Sequence, residues 1–416
     1  MESLVRPVPA PFPWAEPYFT VGVTGTNGKT STTMLVAAAL RAAGHRVLSE
    51  TTIGYWLDDE PMPVPRTVGG FLSALDVSAR RGARHAAIEV TSEALARGAA
   101  KEWRFDLGVF TNLSHDHISS HGSFEHYLAS KAQLFVHLGP GRTAVLNAAD
   151  ETSLLLDRAI PPDVVRRWYQ SPTRGPKLRA ADLAAASVRL DEEGTHATLE
   201  PGPLADALGG VLSTRLVGHV FAENALAAAL AALSAGVPGA DVARGIAALP
   251  GVPGRFEILL RSPLCAVDYA HTPDALARTC DAARELATAR GGQVLVVFGA
   301  GGGRDKEKRE PMGRAVGERA EYALVTNDNP RHEDPNDIAR AVAAGARRGG
   351  RAHVEVVLDR REAIRRALER AKPADVVVVA GKGHERGQIA GADTAAFSDA
   401  DVVRELAGTS RPQRDS

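Results

Sequence analysis

The sequence predicts an α/β protein built as two successive parallel-sheet domains, and three observations carry that prediction. A β-branched run, Val21-Gly22-Val23-Thr24, turns through Gly25 to Gly28 and enters the apolar stretch Met34-Leu35-Val36-Ala37-Ala38-Ala39-Leu40, reading as strand, turn and helix. Short apolar strands then alternate with helical patterns, which implies a mainly parallel, doubly wound sheet. Finally, Leu249-Pro250-Gly251-Val252-Pro253-Gly254 is the best hinge in the chain, and the alternation restarts beyond it.

Taken in order, Met1 to Pro17 forms a proline-rich leader. After the first strand, glycine turn and helix, Arg46-Val47-Leu48 is a second strand with a loop, Thr51 to Gly54, at its carboxyl end. A helix around Phe71 to Arg81 leads to a third strand, His85 to Val90, and Leu107 to Asn112 gives a fourth. Such sheets bind ligands at the carboxyl ends of their strands, where Glu89, Asn112 and the glycine turn fall. Alternating stretches between Ala180 and Leu216, such as Thr195-His196-Ala197-Thr198-Leu199, look antiparallel. Helices follow at Asn224 to Ala235 and Asp241 to Leu249.

In the second half, strands are expected at Val294–Phe298, Tyr322–Thr326, Val354–Leu358 and Val376–Ala380, with helices at Pro311–Arg319, Ile338–Arg348 and Arg361–Ala371. The expected division is a leader (1–17), a P-loop-type parallel-sheet ATPase domain (18–250), a smaller Rossmann-like α/β domain (251–408) and a disordered tail (409–416).

Bulk properties narrow the class. A chain of 416 residues holds two or three domains, and 44% hydrophobic with 24% charged residues is ordinary for a globular protein. Lys plus Arg number 49 against 50 Asp plus Glu, so the net charge of -1 gives no electrostatic reason to expect a nucleic-acid or membrane partner. Cys265 and Cys280 are too few for a disulfide framework or a cysteine-rich metal site, in keeping with a reducing interior. Glu2 and the prolines at 7, 9, 11 and 13 exclude a signal peptide. The longest apolar run, around Ala225 to Leu233, falls short of the roughly 20 residues of a spanning helix. A cytoplasmic enzyme is expected.

The chemistry lies in strand-end loops. Gly25, Thr26, Asn27 and Gly28 allow successive backbone N–H groups to face a phosphate, Lys29 adds positive charge for the outer phosphates, and the Thr30 hydroxyl can sit on magnesium. The local G-x-x-G-K-T is a shortened form of G-x-x-x-x-G-K-[ST], whose first position falls on Val23. Thr111 to His117, then His121, His126 and Lys131, could join Glu89 around a divalent ion, although any single histidine there reads more readily as a polar surface residue. Magnesium takes few protein ligands and favours carboxylates, phosphate oxygens and water.

These stretches resemble the Mur ligase family of ATP-dependent amide ligases. The resemblance is carried by Thr24 to Thr30, Glu89-Val90-Thr91-Ser92, Thr111-Asn112-Leu113-Ser114, Asp116-His117 and Gly254-Arg255-Phe256-Glu257. It continues through Asp268 to Asp274, Asp328-Asn329-Pro330-Arg331 and Gly381-Lys382-Gly383-His384-Glu385. It covers nearly the whole chain after the leader, in the right order. Within the family the pattern is closest to the MurE type, which joins a diamino acid to UDP-N-acetylmuramoyl-L-alanyl-D-glutamate.

The resemblance implies a mechanism. ATP phosphorylates an acceptor carboxylate, an amine attacks the acyl phosphate, and the intermediate collapses to amide, ADP and phosphate. Lys29 and Thr30 would then stabilise the migrating phosphoryl group and its magnesium. Glu89 and His117 would be metal ligands, and Lys131 would be the family lysine that carbon dioxide carbamylates. Asn224 matches a residue that contacts adenine, its other reading being a helix cap. Arg255 and Asp268 would close on ATP from the second domain.

For the amine substrate, the Asp328-Asn329-Pro330-Arg331 pattern accompanies meso-diaminopimelate in the MurE type. Arg331 would pair with a distal carboxylate, Arg304 is a second candidate for it, and Glu385, beside Gly381, would hold a distal ammonium. On the acceptor side stand Thr91, Ser92 and Arg97.

Departures bear on that acceptor. The family's Ser-Ser-His is Thr91-Ser92-Glu93 here, its Gln-x-Arg is Arg97-Gly98-Ala99, its Thr-Thr-Pro loop gives way to Pro65-Arg66-Thr67-Val68, and one asparagine is Phe221. Only the short leader precedes Val21, where the MurE type carries a uridine-nucleotide domain. The expected enzyme is therefore a ligase with a non-standard carboxylate or peptide acceptor. The alternatives are a peptidoglycan-precursor ligase that borrows a domain from a partner chain, or a non-catalytic nucleotide-binding regulator.

Overall fold

The protein is described from a computed structural model, which covers residues 18–113 and 123–408. The expected leader and tail lie outside the described residues. The chain separates into two compact units: Met1–Arg189, Gly194–Arg215 and His219–Pro250 form one, and Leu190–Glu193, Leu216–Gly218 and Gly251–Ser416 the other.

The first unit is organised on a sheet of eleven strands. In chain order they are β1 (Phe19–Thr24), β2 (Val47–Thr51), β3 (Gly54–Leu57), β4 (Glu60–Met62), β5 (His85–Glu89), β6 (Leu107–Phe110), β7 (Thr143–Asn147), β8 (Val165–Gln170), β9 (Leu183–Asp191), β10 (Gly194–Leu199) and β11 (Val211–Thr214). Their spatial order is β11-β10-β9-β8-β7-β6-β1-β5-β2-β3-β4. The strands from β8 through β2 run parallel, while β3 and β4 at one edge and the β10–β11 pair at the other are antiparallel.

β1 is central, and its sequence suits the position. Val21 and Val23 are fully buried, as expected for a strand covered on both faces. Between them, a Cβ on Gly22 would come within 2.8 Å of the Phe105 ring, so glycine is what lets that ring close on the strand. The register pairs Val23 with Glu89 and Thr24 with Phe110, which brings three strand ends together beside the glycine turn.

Several elements differ from the sequence reading. The second strand runs on to Thr51, and Thr51 to Gly54 is a tight connection into antiparallel β3 rather than an open strand-end loop. The fourth strand stops at Phe110. The alanine-rich helix begins at His219, so Asn224 sits inside it, buried, and not at a helix cap. Strands β3, β4, β7 and β8 were not anticipated.

The second unit holds six strands: β12 (Glu257–Arg261), β13 (Leu264–Asp268), β14 (Val294–Phe298), β15 (Tyr322–Val325), β16 (His353–Val356) and β17 (Val376–Ala380). Their order is β12-β13-β17-β14-β15-β16, parallel except for β12. The run Val376-Val377-Val378-Val379 is buried throughout and lies mid-sheet between β13 and β14. On one face Val267, Leu295, Val297, Val377 and Val379 pack with Ile364, Ala367 and Val403. A small hairpin of β18 (Gly387–Ala390) and β19 (Asp393–Ala396) follows. Beyond expectation are β12, β13, this hairpin, the helix Pro273–Arg290 and the helix Asp399–Leu406.

Candidate active site

In the first unit the glycine turn is held from several sides. Gly25 and Gly28 have positive φ, 150° and 86°, a region in which side chains are strained. Gly28 also lies against Asn224: a Cβ there would stand 2.4 Å from Asn224 Oδ1. The next strand end anchors the turn through Asn112, whose Oδ1 accepts Asn27 N at 3.0 Å and whose carbonyl accepts Thr26 N at 2.8 Å, and through Thr111, whose hydroxyl donates to Asn27 O at 2.7 Å. The helix Lys29–Ala42 starts without a side-chain cap or an acidic residue in its first turn, leaving its leading N–H groups and dipole to favour an anion. Lys29 Nζ folds back onto Thr26 O at 2.9 Å.

Glu89 ends β5 directly beside this turn. Its Oε2 accepts Thr30 Oγ1 and Thr52 N, each at 2.9 Å, and Thr52 Oγ1 at 3.2 Å. Lys131, on the helix Phe124–Val136, is only 1% exposed, and its Nζ donates to Gly25 O at 2.7 Å while lying 4.4 Å from the Tyr127 ring centre. Burial, reinforced by the Lys29 charge, holds the Lys131 amine well below its ordinary pKa, with Glu89 opposing. Tyr127 Oη in turn meets Thr26 Oγ1 at 3.2 Å. The structure thus brings Gly25, Thr26, Asn27, Gly28, Lys29, Thr30, Glu89, Lys131 and Asn224 to one place. His117 lies outside the described residues.

These residues fit a nucleotide phosphate with magnesium. One hydroxyl, one carboxylate and a lysine that can become a carbamate make a sparse oxygen set, and among the described residues no cluster of three or more His, Cys, Asp or Glu suggests a protein-rich metal cage. A carbamate on Lys131 would keep one N–H for the Gly25 carbonyl and add two anionic oxygens.

The acceptor-side residues are less gathered. Thr91 Oγ1 accepts Ala94 N at 3.2 Å and caps the short helix Ser92–Ala96. Ser92 follows it, with Glu93 in the same first turn, whereas Arg97 stands exposed past the far end of the helix.

In the second unit, Asp328 and Asn329 follow β15, and Gly381 to Glu385 follow the parallel strand β17. Lys382, fully buried, donates to Asn329 Oδ1 at 3.0 Å and Glu385 Oε2 at 3.2 Å, with Asp328 Oδ1 at 3.8 Å. Asn329 Nδ2 also donates to Glu385 Oε2 at 2.9 Å. Arg331 adopts φ 53° and is laced to the hairpin, its N donating to Ile389 O and its carbonyl accepting Gly391 N. The Arg331 guanidinium reaches Gly302 O at 2.7 Å. A Cβ on Gly301 would lie 3.0 Å from Arg331 and 3.8 Å from Arg304, so the two arginines flank one glycine. This unit therefore gathers Arg304, Asp328, Asn329, Arg331, Gly381 and Glu385.

Arg255 and Asp268 form a separate knot in the same unit. Arg255 stacks 4.6 Å from the Tyr269 ring. Asp268 Oδ2 accepts Phe256 N at 2.7 Å, and Oδ1 accepts Ala270 N at 2.8 Å and Thr279 Oγ1 at 3.1 Å. Asp268 thus braces the turn that carries Arg255.

Sequence reasoning missed Thr52, Tyr127 and Lys382 as site residues. Thr52 carried the weak signal of a hydroxyl at a strand end, and Lys382 sits inside a stretch already singled out. Tyr127 had no signal of its own.

Comparison with known proteins identifies the family. Residues 23–232 match the Mur ligase middle domain, and residues 254–383 the Mur ligase glutamate ligase domain. The chain is 39% identical over 393 residues to the UDP-N-acetylmuramoyl-L-alanyl-D-glutamate–2,6-diaminopimelate ligase of Solibacter usitatus, covering 92% of this chain and 76% of that one. It is 38% identical over 395 residues to the corresponding ligase of Corynebacterium efficiens, covering 92% and 73%. A solved structure of such a ligase superposes with a TM-score of 0.65 at 32% identity, over 94% of this chain and 78% of that one. Mycobacterium tuberculosis folylpolyglutamate synthase complexed with ADP shares the fold, with a TM-score of 0.69 at 21% identity over 88% of each chain.

Proposed function

Since the chain belongs to the Mur ligase family of ATP-dependent, ADP-forming amide ligases, we propose that it couples an acceptor carboxylate to an amine of 2,6-diaminopimelate or a close relative. The observation that carries this reading is the Asn329–Lys382–Glu385 network beside Arg331 and Arg304, which offers both a carboxylate partner and an ammonium partner. Diaminopimelate is the amine named for the relatives.

In this reading an acceptor oxygen displaces ADP from the γ-phosphorus, and the amine then displaces phosphate from the acyl group. Magnesium would neutralise phosphate charge when bound, with Thr30, Glu89, Lys131 as a carbamate, and His117 as the proposed ligands. Lys29 and the leading N–H groups of the helix Lys29–Ala42 hold and neutralise the phosphates. We assign Asn224 to the adenine, and Arg255 and Asp268 to further nucleotide contacts.

For the acceptor we propose a carboxylate other than the usual nucleotide-linked dipeptide. Two features support this: Thr91 is engaged as a helix cap, and Glu93 puts a negative charge in the same first turn, against an acidic acceptor. We propose a cytoplasmic location on the ground that the reaction consumes ATP. Among the described residues no helix is long and apolar enough to cross a membrane. A partner chain that supplies a further domain gains no support from the comparisons. The test is ADP formation across a panel of carboxylates: it should require carboxylate and diaminopimelate together, and release independent of both contradicts the proposal.

A further inference from the structure

Behind the amine motifs lies a buried ion pair. Arg360 opens the helix Arg360–Arg370, Asp399 opens the helix Asp399–Leu406, and both side chains are 0% exposed. Arg360 Nε donates to Asp399 Oδ1 and Nη2 to Asp399 Oδ2, each at 2.7 Å. The remaining donors leave the pair: Nη1 reaches Asn327 O at 3.1 Å and Nη2 reaches Ala380 O at 2.9 Å. Asn327 immediately precedes Asp328, and Ala380 immediately precedes Gly381.

One guanidinium therefore ties together the last carbonyls before both motif loops, which leave β15 and β17, two strands not adjacent in the sheet. Between the loops the packing is close. Gly381 has φ 115°, and a Cβ on it would sit 2.9 Å from Asp328 Oδ2 and 4.0 Å from Arg360 Nη2. Beyond this contact, Lys382 joins Asn329 to Glu385. Displacing either carbonyl moves one half of the substrate-facing cluster relative to the other.

We propose that Arg360, fixed by Asp399, is a positioning residue for the amine substrate: it sets the spacing between the Asp328–Arg331 loop and the Gly381–Glu385 loop, and so the affinity for a diamino acid. This rests on the reading of those loops as the amine site. Recognition of a substrate with separate charged ends depends on that spacing, because groups held by a supporting shell lose their effect with small displacements. A pair needed only for folding is often replaceable by apolar residues without loss of stability, whereas removing one partner strands a buried charge.

The test uses the full chain with meso-diaminopimelate as probe. The double variant Arg360→Met/Asp399→Leu removes both charges together and replaces them with apolar side chains. With a thermal midpoint near the parent's, it should raise the KM for diaminopimelate by about tenfold or more, leave the KM for ATP within about twofold, and lower kcat less than it raises that KM. Arg360→Lys, which keeps the charge facing Asp399 but loses the fork, should shift KM in the same direction, and it serves alone if the double variant does not fold. Arg331→Ala separates the two levels of the argument. If it raises the diamine KM while the folded Arg360 variants do not, the positioning role is overturned and the amine site stands. If Arg331→Ala leaves the diamine KM unchanged, both are overturned.

Discussion

Thr30 Oγ1 donates to Glu89 Oε2 across the sheet at 2.9 Å, linking the first turn of the phosphate-facing helix to the end of the neighbouring strand β5. Thr52 adds its N–H and hydroxyl to the same oxygen. An acid held by three donors is fixed in place before any ion arrives. Glu89→Gln keeps an acceptor for these donors but removes the charge. It should weaken the apparent magnesium affinity by about tenfold or more with little change in thermal midpoint; a magnesium titration of ADP formation reads the effect, and an unchanged titration would remove Glu89 from the metal site.

Gly28 and Asn224 are in tight contact, and Gly28 occupies the left-handed region. Gly28→Ala should cost about 1–3 kcal/mol of stability from backbone strain and the clash with Asn224 Oδ1. Adding Asn224→Ala relieves the clash alone, so thermal unfolding of the double variant should recover only part of the loss. Full recovery would mean that the backbone conformation carries no strain.

Burial holds the Lys131 amine below its ordinary value of 10.5. Between the lowered value and 10.5 the unfolded chain binds a proton that the folded chain does not, so stability rises with pH across that window. In carbon-dioxide-free buffer Lys131→Met should therefore be more stable than the parent at neutral pH, by a margin that shrinks as pH approaches 10.5, and it should be inactive. A Met variant that is less stable at neutral pH would contradict the lowering of the amine's pKa by burial.

Glu50, at the carboxyl half of β2, accepts a hydrogen bond from Tyr55 Oη at 3.2 Å, and burial pushes its carboxyl from 4.5 up to about 7. A carboxyl with a raised folded-state value binds protons more readily when folded, so it contributes stability that is lost as pH rises from 4.5 through about 7. Glu50→Gln should flatten that fall by about 2 kcal/mol, partial exposure taken into account. Thermal midpoints at the two ends of the window give the comparison, and parallel curves for parent and variant would rule it out.

Arg331 and Arg304 flank Gly301, and Arg331 is held in a left-handed conformation by the β18–β19 hairpin. Arg331→Gly, unlike Arg331→Ala, also relieves the strained backbone. Both variants should raise the KM for diaminopimelate by tenfold or so, while only the Gly variant keeps or gains stability. Equal loss of ATP affinity in both would point to a structural role instead.

What could be read in the sequence was the chemistry that local backbone rules dictate. Gly25 to Thr30 announces itself because a strand, a glycine turn and a Lys-Thr helix start have few other uses, and Val376 to Val379 could only be an interior strand. Edge strands β3 and β4 are short, and β4 contains Pro61, so neither repeats long enough to show a period. The helix Pro273–Arg290 has clear ends in Thr272-Pro273 and Gly291, but its alanines and charges give a weak apolar stripe. Thr52 and Arg360 owe their importance to partners far away in the chain, and nothing in their own neighbourhoods reports those partners; Lys382 has Glu385 three residues on but reaches Asn329 from far away. Asn224 shows the reverse: its residue type suits a cap, yet the helix starts at His219 and leaves it in the interior, against Gly28.

The central claim is that ATP cleavage is tied to joining a carboxylate to a diamine. It is tested most directly by incubating the purified chain with ATP, magnesium, diaminopimelate and a panel of carboxylates, then weighing the products by mass spectrometry. The account predicts a product equal in mass to acceptor plus diaminopimelate less one water, formed in step with ADP and absent in the Lys131→Met variant. ADP released without any condensed product would contradict it.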